Sequence, residues 1–135
     1  MTFDLDSAIQ LDSATLELVH PATGAPLNVF FDLAGPEHEV RKQRLFALMR
    51  RRRAEFEKQG KLLTSDPADD AVDELDMLAA CTLGWHNVIA GGTTVVFSAD
   101  ACRKLYGDKQ RAWIRDQVKA ALDRRELFIG DSATA

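Results

Sequence analysis

The stretch 66–97 constrains the fold more than any other part of the sequence, because a helix start and a following strand can both be located in it. Asp66 is a good N-cap, since its carboxylate can accept hydrogen bonds from free amides of the first turn, and Pro67 loses no bond at the next position. The helix is predicted to end at Gly84, and Trp85 follows as a core anchor.

The predicted helix has an apolar side and an acidic side when about 100° is allowed per residue. Its apolar arc contains Ala68, Val72, Leu75, Ala79, Thr82 and Leu83, and its acidic side contains Asp69, Asp73 and Asp76. We expect the arc to pack inward and the acids to face water. After the pair Gly91 and Gly92, segment 93–97 is rich in β-branched residues and is predicted to be a strand.

A β-hairpin is predicted nearer the N-terminus. Segments 15–19 and 27–33 are rich in β-branched and aromatic residues, and the residues between them include two prolines and a glycine, which are typical of turns. Leu16 and Leu18 alternate with outward-facing neighbours, so one face of the hairpin should be covered. The predicted fold is α+β and mainly helical, with this hairpin packed on about four helices.

A long helix, 37–59, follows the hairpin and is predicted to end at Gly60. Arg52 lies in the middle of its apolar arc, which contains Leu45, Leu48, Met49 and Phe56. Arg50 and Arg51 are predicted to point away from this arc, because successive residues turn by about 100°.

Consecutive helices carry opposite charge. Residues 37–61 contain nine bases and four acids, a local charge of +5, whereas residues 66–76 contain six acids and no base. One interpretation is an antiparallel helix pair in which Arg52 or Arg53 reaches the aspartates of the acidic side.

The other interpretation is that the apolar arc meets a partner, and that Arg52 then lies at the centre of the contact. Internal pairing would leave Arg50 and Arg51 as the better candidates for meeting a partner. The candidate partner-binding residues are therefore Arg50, Arg51 and Arg52.

The C-terminal part is predicted to contain two further helices. Ser98 caps a short one, and a final helix runs to about Ile129. Residues 1–14 are predicted to be an N-terminal arm, residues 15–129 a single α+β domain, and residues 130–135 a disordered tail.

Bulk properties exclude several classes of protein. A net charge of −4 argues against a mainly electrostatic nucleic-acid binder, and no segment has the ~20 apolar residues that a membrane span needs. Cys81 and Cys102 lack the close spacing of a metal or redox motif, so we expect free thiols in a reducing compartment.

No motif predicts catalysis. Asp69, Asp70 and Asp73 match the DDxxD pattern that holds Mg²⁺ against pyrophosphate, but a second acidic cluster is missing, and acids in a first turn simply favour the helix dipole. The histidines, at positions without ligand spacing, are expected in surface or capping roles: His20 in a turn, His38 at a helix start and His86 in a loop. We therefore predict no catalytic residue, no metal site, no cofactor and no enzyme activity.

The order of these landmarks resembles the tail assembly chaperones of long-tailed bacteriophages over about residues 15–129. The resemblance rests on the turn Pro21-Ala22-Thr23-Gly24-Ala25-Pro26, the acid-capped helix ending in Leu83-Gly84-Trp85, the segment Val96-Phe97-Ser98 opening a helix, and Phe128 near the close. The family consists of phage- or prophage-encoded assembly factors that are not enzymes.

The resemblance implies partners and a location. Members of the family coat the tape-measure protein, help tail-tube protein gather around it in the host cytoplasm, and are absent from the mature virion. Many also occur in a longer frameshifted form, of which a 135-residue chain would be the short form. Whether the protein forms a homo-oligomer is left open. The alternative is a small phage protein that binds nucleic acid through the basic helix or a metal through the Asp69–Asp73 cluster.

Overall fold

A computed structural model describes residues 2–59 and 67–131 of the chain. The strands and helices are, in chain order, β1 Ile9–Gln10, β2 Ser13–Val19, β3 Pro26–Ala34, α1 Glu39–Gln59, α2 Pro67–Cys81, β4 Thr82–His86, β5 Ile89–Ala90, β6 Thr93–Thr94, α3 Ala99–Gly107, α4 Ala112–Leu122 and β7 Ile129–Gly130. The fold is α+β and mainly helical, with a hairpin of strands before four helices, as predicted. The proposed cap at Asp66 and stop at Gly60 lie outside the described residues.

The predicted hairpin is confirmed by the antiparallel pairing of β2 with β3. Its turn is closed by a 2.8 Å hydrogen bond from the His20 amide to the carbonyl oxygen of Ala25. Along β2 the side chains alternate between exposed and covered, and Leu18 is fully buried. A clean alternation of this kind is typical of a sheet that packs on one face only.

The helix that begins at Pro67 ends at Cys81, so its predicted end at Gly84 is wrong. Residues from Thr82 onward form β4, which pairs antiparallel with β3 and places Gly84 opposite Asp32. Trp85 lies opposite Phe31, with ring centroids 5.4 Å apart, and it is buried as predicted. A helical continuation would lose this third strand and the burial of Trp85, and pairing with a distant strand therefore overrides the local pattern.

Three members of the predicted apolar arc, Ala68, Val72 and Leu83, are exposed. Leu83 is exposed because it is the extra residue at a register shift in β4, between Thr82, which lies opposite Leu33, and Gly84, which lies opposite Asp32. Val72 is exposed near the start of α2. Ion pairs join α2 to α3 through Asp76 and to α4 through Glu74, and both of these residues come later in the helix than Val72.

The strand predicted over residues 93–97 is present only as β6, which pairs with β5 in a tight hairpin. Gly91 and Gly92 both have positive φ, 61° and 76°, as a two-residue turn of this type requires. The Val95 amide still donates to the Val88 carbonyl at 2.8 Å, and Ser98 then accepts a hydrogen bond from the Ala101 amide. The predicted cap of α3 is therefore confirmed.

The final helix ends at Leu122 rather than near Ile129. Arg124 adopts an extended conformation, and a 3-10 turn, Arg125–Phe128, then leads into β7. Gly130 pairs with Ile9 of β1, so the predicted disordered tail does not begin at residue 130. This pairing ties the N-terminal arm to the end of the domain.

The core lies between the covered face of the sheet and helices α2, α3 and α4. Its fully buried large side chains are Leu18, Phe31, Leu33, Cys81, Cys102, Tyr106, Val118 and Phe128. No described helix is both long and apolar enough to cross a membrane. Helix α1 contributes no residue to this buried set. Because its apolar side chains lie outside the core, this helix carries the candidate functional site.

Candidate functional site

Helix α1 is attached to the domain mainly by charged contacts. At its N-terminal end, the Arg41 guanidinium donates to the carbonyl oxygens of Ala34 and Leu122, at 3.1 and 2.9 Å, and lies over the ring of Phe128. Further along, Arg44 approaches Asp76 at 3.2 Å. These contacts fix the position of α1 and leave most of its large apolar side chains exposed.

The ion pairs show that α1 and α2 run antiparallel, because later residues of α1 pair with earlier residues of α2. Arg44 contacts Asp76, whereas Arg52 contacts Asp73 and Asp70, each at 3.8 Å. The predicted internal pair of Arg52 with Asp73 is therefore confirmed. Arg53 instead pairs within its own helix, with Glu57 at 3.4 Å.

Arg51 was predicted to point away from the apolar arc and to remain available for a partner, but it faces α2 instead. Its Nη2 lies 2.6 Å from Oδ1 of Asp73, a carboxylate that is mostly shielded from water. The hydrogen bond that Arg51 donates to Asp73, together with the negative charge of that carboxylate, raises the pKa of Arg51. The face of α1 that contacts α2 is thus centred between Arg44, Leu48 and Arg51, and the apolar arc lies to one side of it.

An exposed apolar surface on α1 results from this orientation. We call it the α1 stripe, and it consists of Leu45, Phe46, Met49 and Phe56, which are 45%, 49%, 57% and 43% exposed. Leu48, the remaining apolar residue of the predicted arc, is half-buried against the neighbouring helix. Large apolar side chains grouped in this way on a helix are typical of a protein-binding surface.

Basic side chains border the α1 stripe. Arg50 is exposed and forms no ion pair with any described residue, while Arg53 and Lys42 are paired with glutamates of the same region. Of the three predicted partner-binding residues, the structure leaves Arg50 facing water, whereas Arg51 and Arg52 face the aspartates of α2. The border therefore favours a partner whose polar side chains are acidic.

A cleft of about 520 Å³ lies between α1, α2 and α4. Its floor includes Leu48, Met77 and Cys81, and its rim includes Asp70 and Asp73 of the DDxxD pattern. Both aspartates face arginines of α1 in this arrangement. Within residues 2–59 and 67–131 there is no group of three His, Cys, Asp or Glu residues that could hold a metal ion.

A larger apolar groove of about 760 Å³ lies between the sheet, α3 and the start of α4. It is lined mainly by Leu18, Leu27, Val29, Phe31, Val88, Leu105, Trp113 and Ile114. Asp108 and Arg111 at its rim are paired with each other, and the hydrogen bond from the Gln110 amide and the contact with Arg111 lower the pKa of Asp108. The described residues that line the groove include neither histidine nor cysteine.

Each of the three histidines makes a hydrogen bond within the described part of the chain. Nδ1 of His20 accepts amide hydrogen bonds in the hairpin turn, and Nδ1 of His38 accepts one at the start of α1, so the predicted capping roles are confirmed. His86 lies in β4 rather than in a loop, with Nε2 3.2 Å from Asp32. Asp32 also accepts a hydrogen bond from the hydroxyl of Thr15 at 2.9 Å, so the carboxylate separates the hydroxyl from the imidazole.

A buried polar pair joins β4 to α3. The Thr82 hydroxyl donates to the Leu78 carbonyl at 2.8 Å, and it therefore accepts the proton of the Tyr106 hydroxyl, 2.6 Å away. Burial raises the pKa of Tyr106 and of the neighbouring thiol of Cys102. Both groups are thus neutral and structural.

Comparisons of the chain with protein-family models, with curated proteins and with solved structures find no match.

Proposed function

We propose that this protein is a non-enzymatic phage tail assembly chaperone that binds the tape-measure protein and assists assembly of the tail tube. The observation that carries the proposal is the α1 stripe, in which four large apolar side chains are exposed together on a helix held in place by ion pairs. The resemblance of the landmark order to tail assembly chaperones supplies the identity of the client.

The physical fit is to an amphipathic helical client. Leu45, Met49 and Phe56 follow one side of α1, so an apolar helix face can pack along them. Arg50, which has no ion-pair partner among the described residues, borders this surface and would attract acidic residues on the client. A long client with many such helices can bind many copies, each weakly, and still be covered along its length.

The arginines of α1 then have two separate roles. Arg51 and Arg52 hold α1 against α2, where they contact Asp73, and this contact keeps the stripe facing outward. Arg50 is the member of the predicted partner-binding set that remains available to a client. The assignment of all three as partner-binding residues stays a prediction, and the geometry favours Arg50.

The alternative function in nucleic-acid binding receives less support. Arg44, Arg51 and Arg52 face aspartates of α2, and this arrangement reduces the positive charge that phosphates would meet. The side of α1 that remains open combines bases with large aliphatic and aromatic side chains. An amphipathic protein segment matches that combination better than a phosphate backbone.

The proposed function carries a proposed location and a proposed genetic context. The protein would act in the host cytoplasm, on tape-measure and tail-tube proteins, and would be absent from the mature virion. A tail-tube gene upstream and a very long open reading frame downstream are expected in the encoding genome. Without that long reading frame nearby, the proposed client would lose its genetic support.

Co-expression with the tape-measure protein tests the proposal. Wild-type protein should keep the tape-measure protein soluble, and Met49→Ser with Phe56→Ser should abolish that effect while the melting temperature stays near the wild-type value. Ile89→Ser with Val96→Ser is the matched control, because those side chains are also exposed but lie outside α1. Equal loss of client solubility in both variants, or in neither, would contradict the proposal.

A further inference from the structure

The N-terminal arm exposes apolar and acidic side chains side by side. Phe3 and Leu5 are 67% and 78% exposed, and Asp4 and Asp6 alternate with them. A 3-10 turn, Leu5–Ser7, gives the arm local order, because the Asp4 carboxylate accepts a hydrogen bond from the Asp6 amide at 3.0 Å. The arm thus presents an acidic, apolar segment that its own chain leaves uncovered.

The α1 stripe has the complementary character. It presents large apolar side chains with Arg50 and Arg53 at its border, of which Arg53 also pairs with Glu57 of its own helix. The arm presents Phe3 and Leu5 with aspartates. Contact between them would bury apolar surface on both sides and bring opposite charges together. We infer that the N-terminal arm of one copy docks on the α1 stripe of a second copy.

The position of the arm favours a second copy over the same chain. The Leu11 amide donates to the Phe128 carbonyl at 2.7 Å, and Arg41 lies over the Phe128 ring, so the arm leaves the domain near the start of α1. Phe56 lies roughly 22 Å further along α1 than Arg41, at 1.5 Å of rise per residue. Leu5 to Ile9 spans only about 11 Å, with two steps of about 2 Å in the 3-10 turn and two steps of at most about 3.3 Å after it, so the arm does not reach the Phe56 end of the stripe in its own copy.

Each copy carries both an arm and a stripe. Every copy can therefore dock its arm on one neighbour and bind the arm of another neighbour on its own stripe. This inference concerns the protein alone and does not rest on the identity of the client. Where the proposed function also holds, the arm and the client would compete for the same stripe, and self-association would keep the stripe covered until a client is present.

Sedimentation velocity over a concentration series tests the inference without any client. The wild-type protein should self-associate. Asp4→Lys with Asp6→Lys, and separately Arg50→Glu with Arg53→Glu, should each raise the dissociation constant by about tenfold or more. An equimolar mixture of the two variants should associate with a dissociation constant within about threefold of the wild-type value. In that mixture the lysine-bearing arm of one variant can dock on the glutamate-bearing stripe of the other.

Two further variants separate a specific contact from a general charge effect. Phe3→Ser with Leu5→Ser should weaken association without lowering the melting temperature, since both side chains are outside the core. Asp100→Lys with Asp116→Lys carries the same charge change at exposed sites away from the arm and should associate like the wild type. A wild-type monomer at all concentrations, failure of the mixture to associate, or an equal effect of this control would overturn the inference.

Discussion

Nη2 of Arg51 lies 2.6 Å from Oδ1 of Asp73 and joins the basic helix α1 to the acidic helix α2. This is the shortest of the arginine–aspartate contacts between the two helices, since Arg44 and Arg52 approach their aspartates at 3.2 and 3.8 Å. The contact orients α1 so that Met49 and Phe56 face outward. The internal charge pairing and the exposed apolar stripe are therefore consequences of one helix orientation.

The first prediction concerns the order of stability among the arginine variants. Arg51→Ala should lower the melting temperature more than Arg52→Ala, and Arg50→Ala should leave it unchanged, because only Arg51 makes a close hydrogen-bonded pair with Asp73. Thermal unfolding at low and high salt measures this order. The differences should shrink at high salt. A larger effect of Arg50→Ala would show that α1 is oriented differently.

The second prediction concerns Trp85, which packs against Phe31 and against Phe97 at 5.0 Å and donates from Nε1 to the Val95 carbonyl. Trp85→Ala should lower the free energy of unfolding by about 3 to 5 kcal/mol, as is typical for truncation of a buried large aromatic. Trp85→Phe keeps a ring in the core and should cost less. Denaturant unfolding of both variants provides the test, and wild-type stability of the alanine variant would rule out the core assignment.

The third prediction concerns the pH dependence at Asp108. Its pKa is lowered in the folded protein by the hydrogen bond from the Gln110 amide and by Arg111, so its contribution to stability is complete above the ordinary pKa and is lost as pH falls through the folded value. Asp108→Asn should therefore melt below the wild type at neutral pH. The two melting temperatures should converge below about pH 4, and a gap that stays constant would contradict this cause.

The fourth prediction concerns metal binding at the DDxxD pattern. Asp70 and Asp73 face Arg51 and Arg52, so a divalent cation would have to displace guanidinium groups. Titration calorimetry with Mg²⁺ and with Mn²⁺ should show no saturable binding. Micromolar affinity that disappears in Asp73→Ala would contradict the prediction and favour a metal-dependent function.

Local chemistry predicts the elements of this fold better than their boundaries. The turn residues between Val19 and Pro26 identify the hairpin, and Ser98 identifies the start of α3, because each signal acts within a few residues. The end of α2 was misplaced because Thr82 and Leu83 fit a helical arc, whereas the pairing of β4 with β3 depends on residues about fifty positions away. The pairing of Gly130 with Ile9 is equally invisible to local patterns.

The candidate site was only partly predictable for a related reason. The apolar arc of α1 could be read from Leu45, Met49 and Phe56, but its periodicity is the same whether the arc is buried or left open to a partner. The orientation of Arg51 depends on the crossing of two helices, which the sequence does not specify. The larger apolar groove, which Trp113 helps to line, was not predicted. Its lining comes from the hairpin, β5, α3 and α4, and no single sequence motif connects these elements.

The most direct test of the proposed function is site-specific photo-crosslinking during tail assembly in infected or induced cells. A photoreactive residue in place of Met49 should crosslink to the tape-measure protein, identified by mass spectrometry, whereas the same residue in place of Ile89 should not, although both positions are exposed. Crosslinking to the tape-measure protein from position 89 and not from position 49, or from neither position, would contradict the assignment of the α1 stripe as the client-binding surface.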